Sequence, residues 1–578
     1  MHLPSQRRTA FAGIALLSLT GVVLAHSHDE KDMVMKMGQP PPALPTTIPS
    51  SATKPDTYFQ YREHSALMLA HIALMTIGWL FVLPISVMFS ISRSRFSLPT
   101  QFVFLAVNAI GISLATIYNT HTPDLYPNNA HHKLGWVLTW VLGAQLVMGV
   151  IHAYARKDRS GNAEFTPISA EAITEHQRIH SFRQAEIYRL SNDSGHGTEP
   201  NTESLRSNSL TSASADSIDY LPELENEDEE NPKEKHGLMH GTAVDKYLAN
   251  KIPALICSPL LKVLGFLYNA IDRVVLILGF VATTSGIVTY GGFFMGSRVF
   301  SGLAHFIKGG VFFWYGILTL GRWAGCFAEI GWAWNFNPSR SNLPSAEFVE
   351  SFLIFFYGAT NVFLEHLAAW GQAWTAQDLE HLSLTLMFFG GGLCGMVIES
   401  RKVRDLLNTT KQSSMSHLPY HPSEREAIEE PKSYRFSMNP LPALVVLLLG
   451  MMMSSHHQES MVSTMIHAQW GTLLMGAAFA RGATYILYYL SPPTSILPSR
   501  PPTELITAFC LMAGGMIFMA SARDTVMAME SNGLDAMFIF TVSMGVITFL
   551  MAWTIIVVAI KGWAVRKENK TFAYHGVA

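Results

Sequence analysis

The chain has 578 residues, 49% of them hydrophobic and only 14% charged, with a formal net charge of −3. This composition excludes both a highly charged disordered chain and an ordinary water-soluble globule, and it points to a protein that crosses the bilayer several times. The charge balance offers no basis for a nucleic-acid partner, and no nucleic-acid motif occurs in the sequence.

The first 25 residues carry Arg7-Arg8, the apolar stretch Ala10 to Leu24 and the small residue Ala25. These are the basic, apolar and cleavage regions of a secretory signal peptide, cut after Ala25; an uncleaved signal anchor is the alternative. Cleavage there makes residues 26–63 an extracytoplasmic tail that begins His26-Ser27-His28. A free amine with histidine at the third position suits Cu(II) in a square plane of nitrogens. The thioethers of Met33, Met35 and Met37 that follow are soft ligands for Cu(I). Copper is therefore the metal expected on this tail.

Apolar stretches long enough to cross the membrane as helices fall near 64–90, 99–119, 132–155, 263–292, 302–324, 346–368, 381–400, 439–455, 465–490, 503–522 and 534–561. The expected fold is all-α: a polytopic helical membrane protein of about eleven spans in two bundles. Residues 64–155 supply three helices. Residues 156–252 form a Ser/Asn-rich and then acidic linker with the composition of a disordered segment. A fourth helix lies in 253–295, a seven-helix domain in 296–565, and a short tail in 566–578. Arg93, Arg95, Arg156, Lys157, Arg401, Lys402, Arg566 and Lys567 collect on one side. The positive-inside rule then sets an extracytoplasmic N-terminus and a cytosolic C-terminus, in a membrane of the secretory pathway. The four cysteines, Cys257, Cys326, Cys394 and Cys510, show no Cys-x-x-Cys spacing and read as small apolar residues.

The first helix contains His71, Leu74-Met75, Gly78-Trp79 and Pro84, and the third contains His132-x-Leu134-Gly135 with Gln145 and Gly149 behind it. One histidine on each of two apolar helices, near the same membrane face, is what a six-coordinate haem requires. Over residues 64–292 the pattern resembles cytochrome b561-type membrane domains. In that family ligands on the first and third helices share one haem, and ligands on the second and fourth share another. Here the second helix has Phe104-x-x-x-Asn108, and the fourth has Asp272-Arg273 with no histidine. The resemblance thus implies a single haem b held by His71 and His132 in the outer leaflet. One haem in one leaflet argues against unaided electron transfer across the bilayer. Interfacial histidines hydrogen-bonded between helices are the alternative reading.

The second half carries two further groups. His456-His457 lie among Met451 to Met453, Met461 and Met465, a second candidate metal-binding cluster, although methionine also serves simply to fill helix interfaces. His305, Glu365-His366, Glu380-His381 and His467 are placed by the span positions toward one face, as a polar relay, a metal site or a hydrogen-bonded plug. Arg481 and Glu350 also lie within spans and need partners there. The motifs around His305-Phe-Ile-Lys308-Gly309-Gly310 and His467-Ala-Gln469-Trp470-Gly471 resemble fungal multispan proteins of the Ytp-one type, a family with no established activity to carry over. The leading expectation is redox chemistry on an extracytoplasmic metal ion, copper or iron, by a bilayer-embedded haem protein. The alternatives are a haem-free transporter or assembly protein, and a structural membrane protein without turnover.

Overall fold

The computed structural model describes residues 57–161, 258–337, 343–364, 373–374, 376–415, 434, 436–455, 458 and 460–575. Helix α1 spans Ser65–Ile91, α2 Ser97–His121, α3 Ala130–Gly161 and α4 Ser258–Gly291. The C-terminal module contributes α5 (Val299–Ala324), α6 (Ala346–Leu364), α7 (Ala376–Glu399), α8 (Arg401–Met415), α9 (Leu441–Ser455), α10 (Met461–Leu490), α11 (Pro502–Ala520), α12 (Arg523–Ser531) and α13 (Ala536–His575). No strand occurs among the described residues. Nine of these helices, α1 to α5, α7, α10, α11 and α13, are long and apolar enough to cross a membrane. The two other expected spans are also helices. These are α6, whose first turns carry Glu347 and Glu350, and α9, which is apolar but only 15 residues long.

In α1 the segment Ile77–Val82 is a π-helical turn that buries Gly78 and Trp79. Such turns insert one residue into a helix and re-aim the side chains on either side. Pro84 has no N–H to give the Leu80 carbonyl, and that carbonyl accepts instead from the Trp553 indole of α13 at 2.9 Å. Phe81 packs against Trp553 and Phe549, with ring centroids 5.1 and 6.1 Å away, and Ser94 donates to Glu568 at 3.0 Å. The long last helix therefore packs along the first, and the four-helix bundle and the C-terminal module share an interface.

The core of the first bundle is Trp79, Leu83, Val87, Phe104, Leu138, Leu142, Val275 and Ala282, drawn from all four helices. In the second, α11 is the central helix: 61% of its apolar window is buried, against 17–39% for the other spans. It approaches α5 closely because both present glycine at the crossing. A Cβ on Gly309 would lie 2.6 Å from the Gly515 carbonyl, and one on Gly316 would lie 2.7 Å from the Met512 nitrogen. Close helix approach through small residues is the usual basis of packing where lipid removes the hydrophobic drive.

Candidate functional site

Four helix ends converge around His71. Its Nδ1 lies 2.8 Å from the Gly111 carbonyl of α2. A carbonyl only accepts, so Nδ1 carries the proton and Nε2 keeps the lone pair. The ring nearest to it belongs to His131 of α3, with centroids 6.5 Å apart and planes at 73°. The His131 Nδ1 lies 3.1 Å from the Ser285 hydroxyl of α4, and that hydroxyl can give its own proton to the Ala282 carbonyl at 2.9 Å. With the Ser285 proton on that carbonyl, Ser285 accepts from His131 Nδ1 and Nε2 is the lone-pair nitrogen; with the proton turned to Nδ1, the two nitrogens exchange roles. A Cβ on Gly286 would stand 3.0 Å from the His131 ring, so glycine there makes room for the imidazole. A Cβ on Gly135, one turn after His131, would meet nothing within 4 Å.

His132, the residue singled out by its motif, is exposed, and its backbone N–H is capped by the Asn129 side chain at 3.0 Å. That cap sets the phase of α3. His131 then shares a face with Gly135, Leu138, Leu142 and Gln145, of which the last three are buried, whereas His132 turns toward the side of Trp136 and Trp140. The seven-residue step from His131 to Leu138 is the periodic signal that distinguishes the two neighbours. A second histidine pair, His64 and His121, stands exposed at the same end with rings 5.5 Å apart.

The opposite end of the four-helix bundle is filled. Phe104 is 2% exposed, Asn108 accepts from the Trp79 indole and donates to Thr139, and Gln145 donates to Asp272 at 2.6 Å. Ser90 also donates to Asp272 and accepts from the Tyr268 hydroxyl, whose oxygen in turn accepts from Gln101 at 2.7 Å. An aromatic side chain and this hydrogen-bond network occupy that end, with a small cavity left between Gln101, Phe104, Gln145 and Asp272 and the Gln101 Oε1 unbonded.

Of the expected polar relay, His305 and His467 flank the stack of Trp470 on Phe518, whose ring centroids are 4.3 Å apart. Each engages the carbonyl one turn back, Ser301 and Ser463, at 2.9 and 2.8 Å. Glu380 is exposed and His381 half-buried on α7. Glu365, His366, His456, His457 and the tail residues His26, His28, Met33, Met35 and Met37 lie outside the described residues. Among the described residues, no group of three or more His, Cys, Asp or Glu side chains converges as a metal site would require.

A buried ionic cluster sits at the far end of the C-terminal module. Arg322 of α5 pairs with Glu347 at 2.8 Å and Glu350 at 3.0 Å, both on α6, and its Nε donates to the Trp332 carbonyl at 2.8 Å. Arg481 of α10 pairs with Glu504 of α11 at 2.8 Å and with Glu350 at 3.5 Å. Trp334, on the segment that follows α5, lies under both guanidinium groups at 4.5 and 5.3 Å. Partners for Arg481 and Glu350 are needed on the sequence alone. Arg322, Glu347 and Glu504 supply them from three helices up to 182 positions apart in number, beyond the reach of local pattern.

Two family models match the chain: one described as protein YTP1-like, C-terminal, over residues 278–562, and a domain of unknown function, DUF2427, over residues 52–155. An uncharacterized membrane protein of Schizosaccharomyces pombe is 33% identical over 521 residues, covering 87% of this chain and 96% of its own length. An uncharacterized membrane protein of Saccharomyces cerevisiae is 43% identical over 293 residues, 48% of this chain and 44% of its own. Protein YTP1 of the same yeast is 22% identical over 277 residues, 47% and 50% of the two chains. No solved structure matches.

Proposed function

This chain belongs to the YTP1-like family of multispan membrane proteins, and on that premise we propose that His71 and His131 would hold a single haem b, which would make it a membrane redox protein. The observation that carries this reading is the 6.5 Å separation of the two imidazole centroids. An imidazole nitrogen binds a transition metal at about 2.0 Å and lies about 1.1 Å from its ring centroid, so two imidazoles that hold one metal ion between them would stand about 6.2 Å apart. The donor set fits: both Nδ1 atoms are tied back to protein oxygens, the Gly111 carbonyl fixes the His71 lone pair on Nε2, and Ser285 can accept from His131 Nδ1 and so free its Nε2 in the same way.

Bound there, a haem supplies reversible one-electron chemistry. The chain's own part is orientation and exclusion. The Gly111 carbonyl fixes the His71 tautomer, and with the Ser285 hydroxyl it holds the ligands basic, as second partners of metal-bound histidine do. Met75, Leu134 and Leu278 pack beside the core below the histidines. Filling of the other end by Phe104, Gln145 and Asp272 supports one cofactor rather than two. We assign the histidine end to the extracytoplasmic side, on the distribution of Lys and Arg between loops. The substrate class is a metal ion, copper or iron, which would take one electron on that side from a soluble or quinol-type reductant reaching the same face, with the aid of the His/Met-bearing tail at residues 26–37.

Haem content of the purified full chain, measured as a haemochrome against protein concentration, tests the reading. One haem b per chain is expected. None returns the chain to the haem-free transporter reading, and two would mean that a second ligand pair lies elsewhere.

A further inference from the structure

The ionic cluster of the C-terminal module does not balance. Arg322 and Arg481 keep their charge at any physiological pH, and three carboxyl groups face them: Glu347, Glu350 and Glu504. None of the five has a further ion-pair partner among the described residues, and none is more than 8% exposed. Fully ionised, the cluster carries one uncompensated negative charge inside a membrane domain, a state that burial strongly disfavours.

The geometry identifies the odd group. Glu347 with Arg322 and Glu504 with Arg481 form two tight pairs, each at 2.8 Å, and these use up both cations. Thr484 adds a hydrogen bond to Glu504 at 2.8 Å. Glu350 is the carboxyl left over, set between the two guanidinium groups at 3.0 and 3.5 Å; its buried Oε2, like that of Glu504, receives no hydrogen bond, but Glu504 has Arg481 at 2.8 Å. The Tyr315 hydroxyl of α5 lies against it.

We propose that Glu350 is a proton-binding site, holding one exchangeable proton on Oε2 between Arg322 and Arg481. The neutral acid still accepts the Arg322 N–H through Oε1, and its O–H finds an acceptor in the Tyr315 oxygen. Loss of the proton turns Glu350 into a carboxylate that draws both arginines together, and so ties α6 to α5 and α10 at once. The groups that face this equilibrium are Tyr315 and Arg322 on α5, Glu347 on α6, Arg481 and Tyr485 on α10, Glu504 on α11, and Trp334 on the connecting segment. Glu399 on α7 stands beyond Glu347 and is held by Ser345 and Ser437 at 2.8 and 2.6 Å. A proton site that links three helices is the kind of element a proton-driven conformational step requires.

Infrared spectroscopy of the full chain in lipid nanodiscs at pH 7 tests this through the deuterium-sensitive C=O stretch of protonated carboxyl groups. Glu350→Gln is expected to remove one component of that band, and Asp272→Asn, in the other bundle, is expected to leave that component in place. Spectra of wild type and Glu350→Gln that coincide in this region would overturn the proposal. Arg481→Gln gives a second, independent reading: with one cation fewer the cluster must hold one more proton and the band must grow, and unchanged intensity would overturn the proposal equally.

Discussion

Replacing Arg322 by methionine removes one cation from a buried site. Arg322 is 2% exposed and makes three short bonds, to Glu347, Glu350 and the Trp332 carbonyl, while its guanidinium lies 4.5 Å from the Trp334 ring. Removing one partner of a buried ion pair costs about 3–5 kcal/mol, because the charges left behind are neither solvated nor paired. Within that sum, the Trp332 carbonyl left without its donor accounts for about 1–3 kcal/mol. Against a total stability of about 5–15 kcal/mol the change is a large fraction. SDS titration of the detergent-solubilised chain, followed by tryptophan fluorescence, measures it. The control is Arg404→Met: Arg404 lies on the Tyr434 ring at 4.8 Å near the surface, and its loss costs about 1 kcal/mol or less. Arg322→Lys falls between the two, since it keeps the charge but cannot reach three acceptors in a planar fork. Adding Glu347→Gln to Arg322→Met recovers part of the loss, because it removes one stranded acid. If Arg322→Met comes within about 0.5 kcal/mol of Arg404→Met, the usual spread for independent surface changes, the cluster is not the structural centre described here.

Two further outcomes follow from the packing. Gly309→Ala and Gly515→Ala each place a methyl group against backbone across the α5 and α11 crossing, at 2.6 Å from the Gly515 carbonyl and 2.5 Å from the Phe313 nitrogen. Each should cost about 1–3 kcal/mol in the same titration, whereas Gly545→Ala, where a Cβ meets nothing within 4 Å, should be neutral or mildly stabilising. Tyr126, on the segment between α2 and α3, donates to the Phe293 carbonyl at 2.7 Å, and burial followed by the nearby Asp524 charge raises its phenol above the ordinary 10.0. A raised folded-state value means that the stability it lends is whole below pH about 10 and is lost as pH rises through the raised value. Tyr126→Phe should therefore flatten part of the alkaline limb of a stability-against-pH curve, and an unchanged limb would exclude Tyr126 as its source.

Helix positions were legible because apolar runs of membrane length permit few other structures. The polar interior around α4 was legible only in part: Asp272 stands out in an apolar span, but its partners Ser90 and Gln145 come from other helices. Which of His131 and His132 faces into the bundle was not legible from the motif, because adjacent residues on a helix differ by about 100° in direction and a motif match does not report phase. The buried face running through Leu138, Leu142 and Gln145 does report it, and that face emerges only from packing against α1 and α4. The ionic cluster was half legible. Arg481 and Glu350 demand partners in any apolar span, but pairing with Arg322, Glu347 and Glu504 depends on which helices touch.

The claim that the histidine end is a haem site is tested most directly by the reduced-minus-oxidised optical spectrum of three variants, purified at equal yield. His71→Ala and His131→Ala should each abolish the six-coordinate haem b band, and His132→Ala should retain it in full. Loss of the band in His132→Ala with retention in His131→Ala would contradict the account, as would a spectrum without the band in the wild-type chain.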